Sequence, residues 1–485
     1  MADSIRSKTV KGVGWSFADN MLSQGITFLV GLVLARLLTP QEYGLIGIIS
    51  IFIALFNSIV DSGFSNALIR KNTAKDIDYN TVFLTNMVMS VLLFVIMFFC
   101  APLIAQFFNQ PQLLPLTRAM SSIIIINAFA IIQRTILVKK VDFKTQTKIS
   151  LIAAVISGIV GIAMAYAGFG VWSLVGQQIS RQFVNTLFLW IYAQWLPKLQ
   201  FSVASFKELF DFGWKLLVSG LIDTAWKEIY QVIIGKCYSP ATLGQYARAQ
   251  QFGAIFSTNL TSIVQRVSYP VLSEIQNDKE HLKNAYKKVI KVTMLGTCCC
   301  MLGLAAVAKP MIVTLIGEQW LPAVPFLQII CLQMMLYPLH SINLNMLQVQ
   351  GRSDLFLRLE IIKKAIAVIP LLLGIFVNIY WMLWGSVAIG FVSYYLNAYY
   401  SGTFLDYNIW EQVRDILPAF GVASVMALIV WSISIINLPN FVLLIIQIMT
   451  GFLIVIVLCE LFRLEAYQEI KNILLSFLNK FRNGK

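Results

Sequence analysis

Seven ionisable residues, Asp211, Lys215, Asp223, Lys227, Glu228, Arg248 and Arg266, fall within two long, largely apolar segments joined at Ser239-Pro240. A charge near the centre of a bilayer costs about 2.5–3.5 kcal/mol on insertion scales, so such residues face a partner or a wet cavity. If these segments are helices, Lys215, Ser219, Asp223 and Lys227 advance by fours and wind slowly along one stripe. In the second segment Gln245, Arg248, Asn259, Ser262 and Arg266 follow three- and four-residue steps and share a face. Arg248 and Arg266 lie about 27 Å apart along a straight helix, one toward each mouth of a passage. Arg181 sits near the middle of an earlier apolar segment, and Asp19, Asn20, Ser23 and Gln24 give the first one a polar end. Lys215, Lys227, Arg181 and Arg248 favour an anionic ligand, whereas an acid-dominated cavity would favour a cation.

Each of these residues has a plainer reading. Asp223–Lys227 and Asp211–Lys215 have the i,i+4 spacing of neutralised pairs that hold helices together. Arg36, Arg134 and Arg266 are placed to snorkel toward headgroups. Asp61 lies beside Gly63, where it can serve a structural hydrogen bond or an ion. His340, two residues after Pro338, can titrate near neutral pH or pack between helices. Asp19, Asp61 and His340 are therefore the candidates for H+ or Na+ coupling, which the sequence permits without requiring. No other cofactor is expected. The seven cysteines have no metal-ligand spacing, and the consecutive Cys298, Cys299 and Cys300 point to different sides of a helix. Neither a phosphate-cradling glycine loop nor a nucleophile–base arrangement is present, so no enzyme is expected.

The elements that must position these groups follow from composition. With 58% apolar and 12% charged residues, the chain offers hydrophobic runs from end to end. About 20 apolar residues span a bilayer, and about fourteen such runs occur, leaving no separate soluble domain. Expected spans are 14–37, 44–68, 80–104, 114–138, 149–168, 170–194, 209–237, 242–270, 288–309, 322–348, 357–378, 380–403, 416–436 and 440–462. Residues 201–210 and 470–481 look interfacial, the latter with one apolar face. Met1 to Lys11 is polar and basic and the first run is long, so no cleavable signal is expected. The net charge of +14 does not point to nucleic acid. Lysines and arginines concentrate in alternate connections and at both termini, which puts both ends in the cytoplasm.

The chain also repeats. Arg36, Thr39-Pro40 and Gly44 recur as Lys236, Ser239-Pro240 and Gly244, at a constant offset of 200 residues. Gly14-Trp15 and Gly213-Trp214 precede the two copies. Both copies begin on the same side, so the repeat is parallel. The expected organisation is an all-α integral membrane protein of about 14 helices. It would comprise a lobe over 1–198, a second over 199–405, and two further helices with an amphipathic tail over 406–485.

The ordered motifs resemble a known family. Leu34-Ala35-Arg36-Leu37-Leu38-Thr39-Pro40 through Tyr43-Gly44-Leu45, Asp61-x-Gly63-Phe64 and Gly170-Val171-Trp172-Ser173-Leu174 come from the first half. The second half adds Leu243-Gly244-Gln245-Tyr246-x-Arg248-Ala249, Gly317-x-x-Trp320-x-x-Ala323-x-Pro325 and Gln350-Gly351-Arg352-x-Asp354. Together they are similar to bacterial Wzx-type polysaccharide flippases of the MOP exporter superfamily, in the branch that exports colanic and teichuronic acids. The resemblance implies transfer of an undecaprenyl-pyrophosphate-linked oligosaccharide to the outer leaflet of the bacterial cytoplasmic membrane by alternating access. It also implies a polysaccharide polymerase as a downstream partner. A cation-coupled drug or metabolite antiporter of the same superfamily is the alternative. A membrane polymerase is disfavoured by the short loops on the outer side.

Overall fold

The computed structural model describes residues 22–61 and 63–482, and among these the secondary structure is helical, without a strand. In chain order the first helices are α1 (Leu22–Leu37), α2 (Pro40–Asp61), α3 (Phe64–Arg70), α4 (Asp76–Phe107) and α5 (Leu113–Lys139). They continue as α6 (Phe143–Tyr166), α7 (Trp172–Ala193), α8 (Val203–Cys237), α9 (Pro240–Glu274) and α10 (Lys279–Ala306). Then come α11 (Ala308–Ile316), α12 (Ala323–Met335), α13 (Tyr337–Val349), α14 (Ser353–Ile366) and α15 (Val368–Phe376). The last are α16 (Ile379–Leu405), α17 (Ile409–Ser432), α18 (Asn440–Leu461) and α19 (Glu465–Arg482).

Nine segments among the described residues are long and apolar enough to cross a membrane. The other expected spans differ in an informative way. Helices α7, α8 and α9 are long enough, and what sets them apart is the polar content predicted to line a passage. The expected span 357–378 is split into α14 and α15. Proline has no N–H to offer and clashes with the carbonyl four residues earlier. Thus α14 stops at Ile366, four before Pro370, and α10 stops at Ala306, four before Pro310. The expected interfacial stretch 201–210 is instead largely the start of α8. Ser202 caps it, accepting from the Ser205 N–H at 3.2 Å. Phe206 packs its ring on Phe64 and Phe210, with centroids 5.9 and 5.5 Å away.

The chain forms two compact units, Met1–Gly244 and Gln245–Lys485. In the first, α4 packs on α5, α6 on α7, and α2 on both α5 and α8. A buried cluster of Phe64, Leu68, Val82, Phe83, Ile132 and Leu209 ties α3, α4, α5 and α8 together. Helix α8 thus belongs to the first compact unit, whereas the repeat groups it with the second lobe. In the second unit α10 is central, packing on α12, α17 and α19. Its polar core joins Tyr286 to Asn343 at 2.7 Å, and Ser401 donates to the same Asn343 oxygen.

The repeated motif has a physical basis in the first unit. Thr39 and Ser239 are helix N-caps, and Pro40 and Pro240 occupy the following position, where a missing N–H is harmless. Glu42 returns to the Thr39 N–H at 2.7 Å, closing a capping box. Ser239 Oγ accepts from the Thr242 N–H at 3.1 Å. The two glycines then meet the opposite helix start. A methyl group on Gly44 would overlap the Pro240 carbonyl, and one on Gly244 would overlap the Pro40 carbonyl. Only glycine allows this reciprocal approach.

Candidate functional site

Helix α8 carries the sequence-predicted stripe, and it is exposed. Lys215, Ser219, Asp223 and Lys227 all lie on open surface, as does Asp211. Lys227 Nζ sits 2.7 Å from Asp223 Oδ2, with both side chains more than half exposed, so the expected i,i+4 pair forms. The corresponding Asp211–Lys215 pair does not form among the described residues; these two charges stay apart. Beside the charged row runs an exposed apolar one, Trp214, Val218 and Ile222. Glu228 is engaged by Gln231 Nε2 at 2.8 Å.

Arg181 is half-buried midway along α7, and its guanidinium has no ion-pair or hydrogen-bond partner among the described residues. Its neighbour Gln182 belongs to a chain of amides that the sequence reading missed. Gln182 Nε2 donates to Asn127 Oδ1 at 2.9 Å, and Asn127 Nδ2 donates to Asn57 Oδ1 at 3.1 Å. The available signal was the presence of amide side chains inside three apolar runs, on α2, α5 and α7.

Helix α9 departs from the expectation of one open polar face. Gln245 and Arg248 are buried, Asn259 is half-buried, and Ser262 is exposed. Gln245 Nε2 donates to the Gln319 carbonyl at 3.0 Å. Arg248, expected to face a passage, is only 8% exposed. It donates to Gln251 Oε1 at 2.5 Å, and its guanidinium lies 5.9 Å from the Trp320 ring centroid. In this arrangement it braces α9 against the Trp320 turn. Asn259 Nδ2 donates to the Ile255 carbonyl at 2.6 Å, a bond within its own helix. The side chain of Arg266 and all of Asp19 lie outside the described residues.

Of the coupling candidates, Asp61 and His340 have structural partners. Asp61 Oδ1 accepts from Ser65 Oγ across the α2–α3 bend. Gly63, at φ 70°, turns that bend, and a methyl group on it would come within 2.6 Å of the Gly213 carbonyl on α8. His340 is half-buried on α13, its Nδ1 3.5 Å from Asn397 Nδ2 on α16. Among the described residues no group of three His, Cys, Asp or Glu side chains is arranged to hold a metal ion.

A helical chain with many apolar spans and charged or amide-bearing helices among them is an integral membrane protein of the transporter kind. Residues 33–325 match the model of the polysaccharide biosynthesis protein family, Polysacc_synt_3, and the chain belongs to that family. It is 25% identical to the teichuronic acid biosynthesis protein TuaB of Bacillus subtilis, over 89% of this chain and 90% of that one. It is 25% identical to the succinoglycan biosynthesis transport protein ExoT of Rhizobium meliloti, over 68% of this chain and 67% of that one. With the lipopolysaccharide biosynthesis protein WzxC of Escherichia coli it shares 24% identity, over 76% of each. Its fold is that of the lipid II flippase MurJ in an inward closed conformation, at a TM-score of 0.75 and 15% identity, covering 94% of this chain and 99% of that one. A multidrug resistance MATE family transporter of the MOP superfamily, inward-facing, matches at a TM-score of 0.61 and 15% identity, covering 81% and 99%.

Proposed function

We propose that this chain is a flippase moving an undecaprenyl-pyrophosphate-linked oligosaccharide from the cytoplasmic to the outer leaflet of a bacterial cytoplasmic membrane. Its product would feed capsule, exopolysaccharide or O-antigen assembly, with a polysaccharide polymerase downstream. The observation that carries this reading is the pair of adjacent exposed rows on α8, one charged and one apolar. Lipid would penalise the charged row and water the apolar one. An amphiphile with a charged head and a prenyl tail satisfies both. The sugar head cannot cross hydrocarbon unaided, because its hydroxyls would lose their hydrogen bonds.

In this reading Arg181 and Lys215 are the cations that meet the diphosphate. The planar fork of Arg181 suits two phosphate oxygens, and Lys215 supplies a point charge. The Asp223–Lys227 pair keeps the row hydrated without adding net charge. Asp61 serves the α2–α3 bend, and Arg248 braces α9. The repeats over 1–198 and 199–405 rock about a cationic passage, with 406–485 appended and both chain ends in the cytoplasm. The similarity to proteins of polysaccharide biosynthesis and its transport supports this substrate class.

Water access to α8 tests the reading. In a background with all seven cysteines replaced, single cysteines at 215, 219, 223 and 227 should react with a membrane-impermeant maleimide, and added lipid-linked oligosaccharide should slow the reaction. A cysteine at Ile445 on α18, an exposed position on an apolar helix, should not react. Absence of labelling along the whole charged row would refute a hydrated path.

A further inference from the structure

The second unit also holds a basic pocket. It has a volume of about 200 Å³ and is lined by Lys291 and Leu295 of α10, Arg414, Asp415, Pro418 and Ala419 of α17, and the α18–α19 junction from Arg463 to Ala466. A pocket of this size admits a phosphodiester.

Its charges are unevenly matched. Lys291 is satisfied, with Nζ 3.2 Å from Asp415 Oδ1 and 2.9 Å from Glu465 Oε2. Asp415 also accepts from the Tyr407 hydroxyl at 2.7 Å. Both acids are therefore occupied. Arg414 and Arg463 are left over, and neither guanidinium has a hydrogen-bond or ion-pair partner among the described residues. Arg463 occupies the left-handed region at φ 47°, where glycine or asparagine is easier to accommodate. A second pocket shares Lys291, Glu465 and Ala466 and adds Lys287 and Lys288. There, Lys288 is paired with Glu469 at 2.7 Å and Lys287 lies 3.5 Å from Glu411, so the surplus stays with the two arginines.

We propose that this pocket binds a phosphate anion through Arg414 and Arg463, and that its natural source is the headgroup of an anionic phospholipid. Two guanidinium forks lining one pocket suit phosphate oxygens. The pocket opens where the apolar α18 ends and the amphipathic α19 begins, a junction that suits the headgroup layer. Basic pockets between helices at that level select anionic lipid. Pro418, Ala419 and Leu295 give the glycerol and first methylenes an apolar wall. The bound lipid would pin α19 to α10 and α17.

The test uses the full-length chain, purified and placed in nanodiscs of phosphatidylcholine with or without phosphatidylglycerol. Native mass spectrometry reads the retained lipid, and thermal unfolding reads the stabilisation. Wild type should retain phosphatidylglycerol and unfold at a higher temperature in its presence. Arg414→Gln and Arg463→Gln should each weaken retention about fivefold, the effect of roughly one interfacial basic residue. Arg414→Lys with Arg463→Lys, which keeps the charge should glutamine impair folding, should restore part of it. Arg352→Gln, outside the pocket, should change nothing. A parallel titration of the detergent-solubilised chain with inorganic phosphate separates the sources. Stabilisation by inorganic phosphate that depends on the two arginines supports the anion site and identifies free phosphate as a competent occupant. Equal lipid retention and equal phosphate response in wild type and both glutamine variants would overturn the proposal.

Discussion

At the level of single residues, the repeat motif is a packing device. Gly44 and Gly244 each face the carbonyl of the other copy's proline. Alanine at either position forces backbone apart, and overpacking of this kind costs about 1–3 kcal/mol. Gly44→Ala and Gly244→Ala should each lower the unfolding temperature of the purified protein. Gly25→Ala and Gly421→Ala, which meet nothing within 4 Å, should not. Equal melting of all four would show that the helix starts do not touch. The exposed Asp223–Lys227 pair makes the opposite case. Such pairs contribute about 0.2–1 kcal/mol, so Asp223→Asn should barely change stability while impairing transport. If pairing alone matters, Asp223→Lys with Lys227→Asp restores transport; if the stripe reads substrate charge, the swap does not. These residues were legible because their spacing is local. The Asn57–Asn127–Gln182 chain was not, since its members lie 70 and 55 residues apart. Nor was the burial of Arg248, which depends on Trp320 in a distant turn.

Among the elements, the polar segments are helical where helices were expected despite their charge, and the proline breaks follow from chemistry visible in the sequence. What sequence could not show is where a helix begins when aromatic packing extends it. The start of α8 looked interfacial because Phe201, Phe206 and Phe210 suit a headgroup layer as well as they suit Phe64. The start of α10 shows how charge fixes an element's end. Asp278 caps it, accepting from the His281 N–H at 3.0 Å, with the His281 ring also 3.0 Å away. Those hydrogen bonds hold its carboxyl below the ordinary range. Lys279 does the same to Asp406, which follows α16. A carboxylate lowered in the folded state contributes stability that is complete above its unfolded pKa and is lost as pH falls through the folded one. Amide hydrogen exchange over residues 279–282 should therefore be slow near neutrality. Once intrinsic exchange is corrected for pH, protection should fall below about pH 4. Asp278→Asn and Asp406→Asn should flatten that dependence. Unchanged protection in the double variant would show that these contacts do not hold the helix start.

For the whole molecule, the all-helical membrane class and the family could be read from spans, charge distribution and ordered motifs. The allocation of helices to compact units could not. A repeat says which segments are alike and not which neighbours they choose, and α8 packs on α2 and α3 through Gly63 and Phe64. Transport itself gives the decisive measurement. The purified chain in liposomes with a defined undecaprenyl-pyrophosphate oligosaccharide should exchange it between leaflets faster than protein-free liposomes do. Neither Arg181 nor Lys215 has an ion-pair partner among the described residues, so each has its charge available for a phosphate. A charge-assisted hydrogen bond contributes about 1.5–3 kcal/mol, so Arg181→Gln should slow exchange roughly ten- to a hundredfold. Arg181→Lys should recover less than full rate, because a point charge cannot take two oxygens at once. Lys215→Gln should have a smaller effect, since an exposed lysine is screened by water. Imposed H+ and Na+ gradients applied to wild type and to Asp61→Asn ask whether that carboxylate couples an ion. Held by Ser65 at a bend, it should alter stability and leave any gradient dependence unchanged. Full-rate exchange in the Arg181→Gln, Lys215→Gln double variant would remove α7 and α8 from the path and leave the exposed charge on α8 without a transport role.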